Sequence, residues 1–389
     1  MPPASGIELQ PGKDSLDFAN YFVSYGEKRL RPSRLRLLSP RLCVCVSGYL
    51  YHQKDMLQDR GRMDAYRNAI LGNEKCFEGK TVLDVGTGSG VLAIWAGMAG
   101  ARKVYAVEAT SMAQHARRLV QQNGMQDVVT VLEGYMEKIE LPEKVDIIIS
   151  EWMGYFLLRE AMFDSVVAAR DLYLKPGGAM YPSHAILRMA PLCSSLYASR
   201  LNEFQEETGA WESFGEWMST GNGINVAGLT DFFHREQHEY LLQSAQWCQL
   251  RQQEVIGDEF SISEFDLHDV TVAELASFSS KFRSVLQLYA ELNAFGGWFD
   301  TDFRGSPSDP APKPVTLTTQ PESTTHWAQQ VFMIHPPINV EPGDMIEGVV
   351  KVARQRLNHR LLWVSVCMTH SRPGVGQIGP ERNLNYRID

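Results

Sequence analysis

Thr81-Val82-Leu83-Asp84-Val85 runs directly into Gly86-Thr87-Gly88-Ser89-Gly90, and Val91 to Met98 continues as an apolar helix. A buried strand that enters a glycine cluster and leaves as a helix is the opening unit of an α/β sheet. The glycines let the backbone approach a ligand closely, while the helix N-terminus supplies unsatisfied amides. Eighteen residues past Gly90, Val104-Tyr105-Ala106-Val107-Glu108 ends a second strand on an acid, the placement expected for gripping ribose hydroxyls. The glycine spacing is G-x-G-x-G, whereas a pyrophosphate on the helix terminus goes with G-x-G-x-x-G. The order of elements therefore predicts half of a nucleoside site without a pyrophosphate, a description that the sulfonium methyl donor S-adenosylmethionine fits.

Val145-Asp146-Ile147-Ile148-Ile149 reads as a further buried strand. The loop Ser150-Glu151-Trp152-Met153-Gly154-Tyr155-Phe156-Leu157-Leu158-Arg159-Glu160 leaves its carboxyl end, where open α/β sheets place ligands. Two carboxylates nine residues apart in an aromatic-rich loop suit a cation. A guanidinium suits them best, being planar, permanently charged and able to fork onto carboxylate oxygens. The plainer alternative has one Glu capping the following helix near Arg159 and the other solvated.

The 389 residues are too many for one ordinary core and enough for two domains. A net charge of -9 argues against a broad grip on nucleic acid and suits a basic protein partner. Six scattered cysteines, with no C-x-x-C and no clustered His/Cys spacing, indicate neither a metal site nor a disulfide framework. Met1 to Gly6 lacks an apolar signal core, and no stretch reaches the ~18 apolar residues of a membrane span. A soluble protein of the cytoplasm, the nucleus or both is expected.

From about Lys80 to Met180 strands and helices alternate, including Val128 to Leu132 and an amphipathic helix from Arg159 to Tyr173, which implies a mainly parallel sheet covered on both faces. Lys175-Pro176-Gly177-Gly178 stops that helix, and Tyr181-Pro182-Ser183 marks a change of regime. Beyond it, Gln330 to Ile334, Ile346 to Val352 and Arg360 to Val366 read as antiparallel strands. The region from about Tyr197 to Gln246 is more helical and carries Trp211, Trp217, Phe232 and Phe233, which either pack locally or form an interface. Gly26 to Gly48 holds six basic residues against the single acid Glu27, and is read as an ill-packed insertion rather than an import or anion-binding patch.

Tyr21-Phe22, Met56-Leu57, the Val82 to Gly90 strand, Glu108, the double-Glu loop and Thr325-His326-Trp327 together resemble the protein arginine N-methyltransferase family. The resemblance implies an α/β fold. A lid segment over 1–50 with the insert at 26–48 comes first, then a Rossmann-like S-adenosylmethionine-binding domain over 51–182. An antiparallel β-barrel domain over 183–389 follows, with a helical dimerisation arm at about 197–246. It further implies a homodimer, arginine-rich protein substrates such as histone tails, and mono- and asymmetric dimethylarginine as products. By position, Gln53, Arg62, Gly86, Glu108 and Glu137 would contact the methyl donor, with Arg62 on its carboxylate, Glu108 on the ribose and Glu137 near the adenine. Glu151 and Glu160 would clamp the substrate guanidinium; Met56, Met162 and Trp327 would shape the pocket; and His326 would face Asp59 as a proton acceptor. No metal is needed. Two other readings stand beside this one: a catalytically silent scaffold whose lid the insert interrupts, and a nucleotide-dependent oxidoreductase.

Overall fold

The structure, a computed structural model, describes residues 49–388; the basic segment 26–48 and the Tyr21-Phe22 pair lie outside the described residues. Helices α1 (Leu50–Gln58), α2 (Arg60–Leu71) and α3 (Glu74–Phe77) lead into an alternating array. That array comprises β1 (Thr81–Val85), α4 (Val91–Met98), β2 (Lys103–Glu108), α5 (Met112–Gln122), β3 (Val129–Glu133), β4 (Val145–Ser150), α6 (Phe163–Tyr173) and β5 (Leu174–Tyr181). The five strands form one parallel sheet in the order β3-β2-β1-β4-β5. All five residues of β1 are buried, as a central strand covered on both faces requires. The chain order reverses between β1 and β4, so the glycine turn after β1 and the double-Glu loop after β4 open side by side at one crevice.

One detail of this half differs from the sequence expectation. Helix α6 begins at Phe163, not Arg159, because Phe156, Leu157, Glu160 and Ala161 all hold left-handed backbone conformations that no right-handed helix tolerates. The helix ends at Tyr173 as expected, and Lys175 to Gly178 lies inside β5, whose pairing register with β4 shifts between Val145 and Ile147.

After β6 (His184–Leu192) the chain leaves the strands for α7 (Ser195–Asn222) and α8 (Thr230–Leu242), then returns through β7 (Gln246–Cys248), β8 (Phe260–Asp266), the short α9 (Val272–Ala276) and β9 (Ser277–Val285). It closes with β10 (Ala290–Gly305), β11 (Pro310–Thr318), β12 (Gln329–Val340), β13 (Met345–Arg354), β14 (Leu362–Arg372), β15 (Gly376–Gln377) and β16 (Arg382–Ile388). One antiparallel sheet runs β7-β12-β10-β6-β8 with β11 on β10, and the other runs β15-β14-β13-β9 with β16 on β14. Their inner faces meet through aromatic pairs, including Phe260 stacked on Phe282 with ring centroids 4.4 Å apart and Phe332 against Tyr386 at 5.3 Å.

The helical pair stands apart from this core. Ser194 caps α7 by accepting from the Leu196 amide, and Gly223 ends it in the left-handed conformation. Of the 28 residues of α7 only Tyr197 is buried, at the root where its hydroxyl meets His335 Nδ1 at 2.7 Å. Trp211 stacks on Phe233 at 4.4 Å, which holds the two helices together, whereas Trp217 and Phe232 remain 58% and 59% exposed. The aromatics therefore divide between local packing and an open surface.

Candidate active site

The glycine turn is tied to the end of β2. Glu108 accepts hydrogen bonds from the amides of Gly88 (2.8 Å) and Thr110 (2.9 Å), so this buried carboxylate fixes the turn while keeping lone pairs for another donor. Beneath the turn, Asp84 accepts from the Thr87 hydroxyl at 2.6 Å through one oxygen, and its other oxygen is buried with no hydrogen-bond partner. Burial pushes this carboxyl up to about 7, against the pull of the Thr87 hydroxyl. Gly86, at φ +71°, is covered by Met162: a Cβ added there would lie 2.1 Å from the Met162 methyl carbon. The buried Gln53 of α1 rests its amide against Gly88.

Helix α2 brings the two halves of the site into contact. Asp59 caps it, accepting from the Arg62 amide at 3.0 Å, and that cap sets Arg62 on the first turn. The Arg62 side chain then reaches across the crevice to Glu151, with Nε at 3.0 Å and Nη2 at 2.9 Å from the same carboxylate oxygen. Its Nη1 donates to the carbonyl of the half-buried Met56 at 3.1 Å. Tyr66, one turn further along α2, donates to the Ser150 carbonyl at 2.8 Å and so pins the end of β4; burial and then the Glu151 charge hold its phenol protonated. The second oxygen of Asp59 takes both the amide (2.8 Å) and Nδ1 (2.7 Å) of His326. Burial alone would raise the Asp59 carboxyl, but the bonds from His326 and the Arg62 amide hold it below the usual carboxylate range.

The double-Glu loop is shaped by close backbone approach and mounted on the barrel. A Cβ at Gly154 would sit 1.7 Å from the Arg159 carbonyl oxygen, so only glycine lets the loop close on itself there. Trp327 is buried and donates to the Met153 carbonyl at 2.8 Å, with the His326 ring tilted over it at 4.0 Å. Phe156 meets Phe332 of β12 edge-on at 5.1 Å, and the Glu160 amide donates to the Arg360 carbonyl at 2.8 Å. Glu160, itself in the left-handed region at φ +88°, is 6% exposed, and Arg159 Nη1 lies 3.8 Å from its carboxylate.

Asp59, Arg62, Glu151 and His326 thus form a connected network, while Gln53, Gly86, Glu108 and Met162 gather at the glycine turn and Trp327 braces the loop between them. Glu137 is set apart: it is exposed, and its carboxylate accepts from the Ser165 hydroxyl at 2.5 Å. Sequence reasoning did not single out Tyr66, Asp84 or Arg360. Only Asp84, an acid inside an otherwise apolar buried strand, carried a local signal.

The chain is 50% identical to the Arabidopsis thaliana protein arginine N-methyltransferase PRMT10 over 325 residues, covering 83% of this chain and 85% of that one. The chain belongs to the protein arginine N-methyltransferase family. The Oryza sativa subsp. japonica protein of the same name is 47% identical over 89% of this chain and 86% of that protein. Residues 194–371 match the family model described as the arginine methyltransferase oligomerization subdomain, and residues 69–183 match that of the ribosomal protein L11 methyltransferase. The crystal structure of the Arabidopsis thaliana protein arginine methyltransferase 10, in a uniquely open conformation, superimposes with a TM-score of 0.86 at 46% identity, covering 89% of this chain and 99% of that one. The Trypanosoma brucei PRMT1 enzyme-prozyme heterotetrameric complex with AdoHcy gives 0.74 at 32% identity, covering 88% and 99%. This arginine methyltransferase uses S-adenosylmethionine, and the oxidoreductase alternative falls away. Its donor-side residues suit that group: a guanidinium at Arg62 for the carboxylate, a carboxylate at Glu108 for the ribose diol, and a backbone without a side chain at Gly86.

Proposed function

We propose that this methyltransferase acts on arginine in basic, arginine-rich proteins such as histone tails, gives mono- and asymmetric dimethylarginine, and works as a homodimer joined through α7 and α8. The observation that carries the reading is the pair of carboxylates, the half-buried Glu151 and the buried Glu160, at the two ends of one loop beside the donor-side turn. S-adenosylmethionine, when bound, supplies an electrophilic methyl group on a sulfonium.

A guanidinium is a weak nucleophile because its charge is spread over three nitrogens. Two carboxylates that draw the positive charge to one side leave the opposite nitrogen richer in electrons, and in a site shielded from water this fixed charge is worth far more than in solution. Arg62 carries N–H donors along more than one edge of its planar guanidinium. It forks onto Glu151 with Nε and Nη2, while Nη1, which donates to the Met56 carbonyl, would turn to the donor's carboxylate, so that one side chain would align clamp and donor. Met56 and Met162 shape the pocket around the reacting nitrogen with flexible apolar side chains and leave it room for a second methyl group. Transfer forms a nitrogen–carbon bond, breaks the carbon–sulfur bond and leaves one surplus proton on the guanidinium. Glu160 or the His326–Asp59 pair takes that proton, the latter held ready by the 2.7 Å contact at Nδ1.

Incubation with methyl-labelled donor and a histone-tail peptide, followed by hydrolysis and mass spectrometry of the arginines, tests the reading. Mono- and asymmetric dimethylarginine are expected; symmetric dimethylarginine would overturn the product assignment, and absence of label in arginine would overturn the substrate assignment.

A further inference from the structure

The loop between β13 and β14, residues 355–361, is fastened beside the double-Glu loop at both of its ends. At its start Arg354, the last residue of β13, forks onto Asp164 in the first turn of α6, with nitrogens 2.7 and 2.6 Å from the two carboxylate oxygens. At its end the Arg360 carbonyl accepts the Glu160 amide at 2.8 Å. The loop also closes on itself: the Gln355 amide donates to the Leu361 carbonyl at 2.9 Å, the Leu361 amide to the Asn358 carbonyl at 3.1 Å, and the Arg360 amide to the Asn358 side chain at 3.1 Å. Gln355, His359 and Arg360 make further contacts, whereas Arg356 is exposed with no ion pair among the described residues, and Leu357 is 100% exposed. A single exposed leucine is ordinary. Here it stands beside a cation at the tip of a braced loop on the rim of the site, where neither side chain contributes to the fold. Leu357 lies three residues from Arg360, at most about 10 Å of chain, and an extended polypeptide advances about 3.3 Å per residue. The tip therefore reaches residues roughly one to three positions from a target arginine.

We infer that Arg356 and Leu357 determine substrate specificity by touching the bound polypeptide on one side of the target arginine, where Arg356 favours an acidic neighbour over a basic one and Leu357 supplies apolar contact. This rests on the reading of Glu151 and Glu160 as the guanidinium clamp. The net charge of -9 draws a basic chain from a distance, but that attraction does not distinguish one arginine of the chain from the next. A cation on the rim acts at contact, and it discriminates by repelling the wrong neighbour as well as by attracting the right one. Within a basic segment, an arginine with an acidic or neutral neighbour is then methylated ahead of one inside a run of lysines and arginines.

The experiment compares kcat and KM on single-arginine peptides, with Asp or Lys scanned over the flanking positions on both sides, and on acetyl-arginine methylamide, which has no flanking residues. The proteins are the unmodified chain, Arg356→Gln, Arg356→Glu and Leu357→Ser. The unmodified chain is expected to favour Asp over Lys by about threefold to fivefold in kcat/KM, through KM and on one side of the arginine only, which is the worth of an exposed ion pair. Arg356→Gln is expected to remove that preference and Arg356→Glu to reverse it, a change of roughly tenfold in the ratio. Leu357→Ser is expected to raise KM for every peptide by about threefold and leave the ratio in place. The small amide is expected to turn over equally in every variant. An unchanged Asp/Lys ratio in Arg356→Glu would overturn the role of Arg356, and unchanged peptide KM values in Leu357→Ser would overturn that of Leu357. Loss of the small amide in the same proportion as the peptides would show that the loop only supports the clamp, and would overturn the inference as a whole. No label on arginine from any substrate with the unmodified chain would instead overturn the clamp reading on which it rests.

Discussion

Glu160→Gln is expected to lower kcat on an arginine peptide by at least ~100-fold while leaving donor affinity unchanged, since an oriented charge in a desolvated site is commonly worth that much. The substitution keeps the volume and one acceptor oxygen, so the loss isolates charge from shape. Glu151→Gln is expected to lose as much in kcat and also to weaken donor binding by roughly threefold to tenfold, because two of the Arg62 nitrogens are held by that carboxylate. The contrast is the informative part: the two acids share the substrate, but only Glu151 also orients the donor's partner. Single-turnover rates and calorimetric titration with donor measure the two quantities separately. Near-normal turnover in Glu160→Gln would contradict the clamp, and equal donor affinities in the two variants would contradict the link through Arg62.

The second large effect concerns assembly. Trp217 and Phe232 are more than half exposed on a helical pair that extends from the barrel, and one large aromatic buries 150–250 Å² at a contact. Because somewhat over half of that area is still free to be buried, each aromatic contributes about 2–3 kcal/mol at about 25 cal/mol per Å², and a two-fold interface counts each residue twice. The double substitution Trp217→Asp with Phe232→Asp is expected to convert the proposed dimer into monomers at micromolar concentration, a weakening of association of at least ~1,000-fold, while the folded subunit survives. This variant is cleaner than deleting the helices. Tyr197, Leu241 and Leu242 at their root are buried against the barrel, and excision would open that core. Light scattering that still reports a dimer would remove these aromatics from the interface.

The site was legible in the sequence wherever its logic was local. A strand, a glycine turn, a helix and a terminal acid follow one another in the chain, and the Glu108 carboxylate sits within 2.8 Å of the Gly88 amide because nothing intervenes but one βα unit. The start of α6 was not legible, because four non-glycine residues adopt left-handed conformations that tertiary contacts, not local preference, impose. Pairings across distance were beyond residue patterns too: Arg62 and Glu151 are 89 positions apart, and Asp59 and His326 are 267 apart. The family resemblance placed Asp59 opposite His326 and Arg62 on the donor, but the contact between Arg62 and Glu151 emerged only from the fold. Glu137, named from the same resemblance, faces solvent and Ser165. Arg159 reads as the first residue of that helix, since nothing in its neighbours' identities announces that it will be buried in the loop before it.

The central claim is that two carboxylates hold a guanidinium by its charge and its planar fork. Calorimetric titration of the chain saturated with S-adenosylhomocysteine measures this most directly, using one arginine peptide and the same peptide with citrulline, its neutral near-isostere, at the target position. The arginine peptide is predicted to bind at least ~10-fold more tightly, with the difference lost in Glu160→Gln, because charge-assisted hydrogen bonds to a buried carboxylate are worth more than neutral ones. Equal affinities for the two peptides would contradict the account.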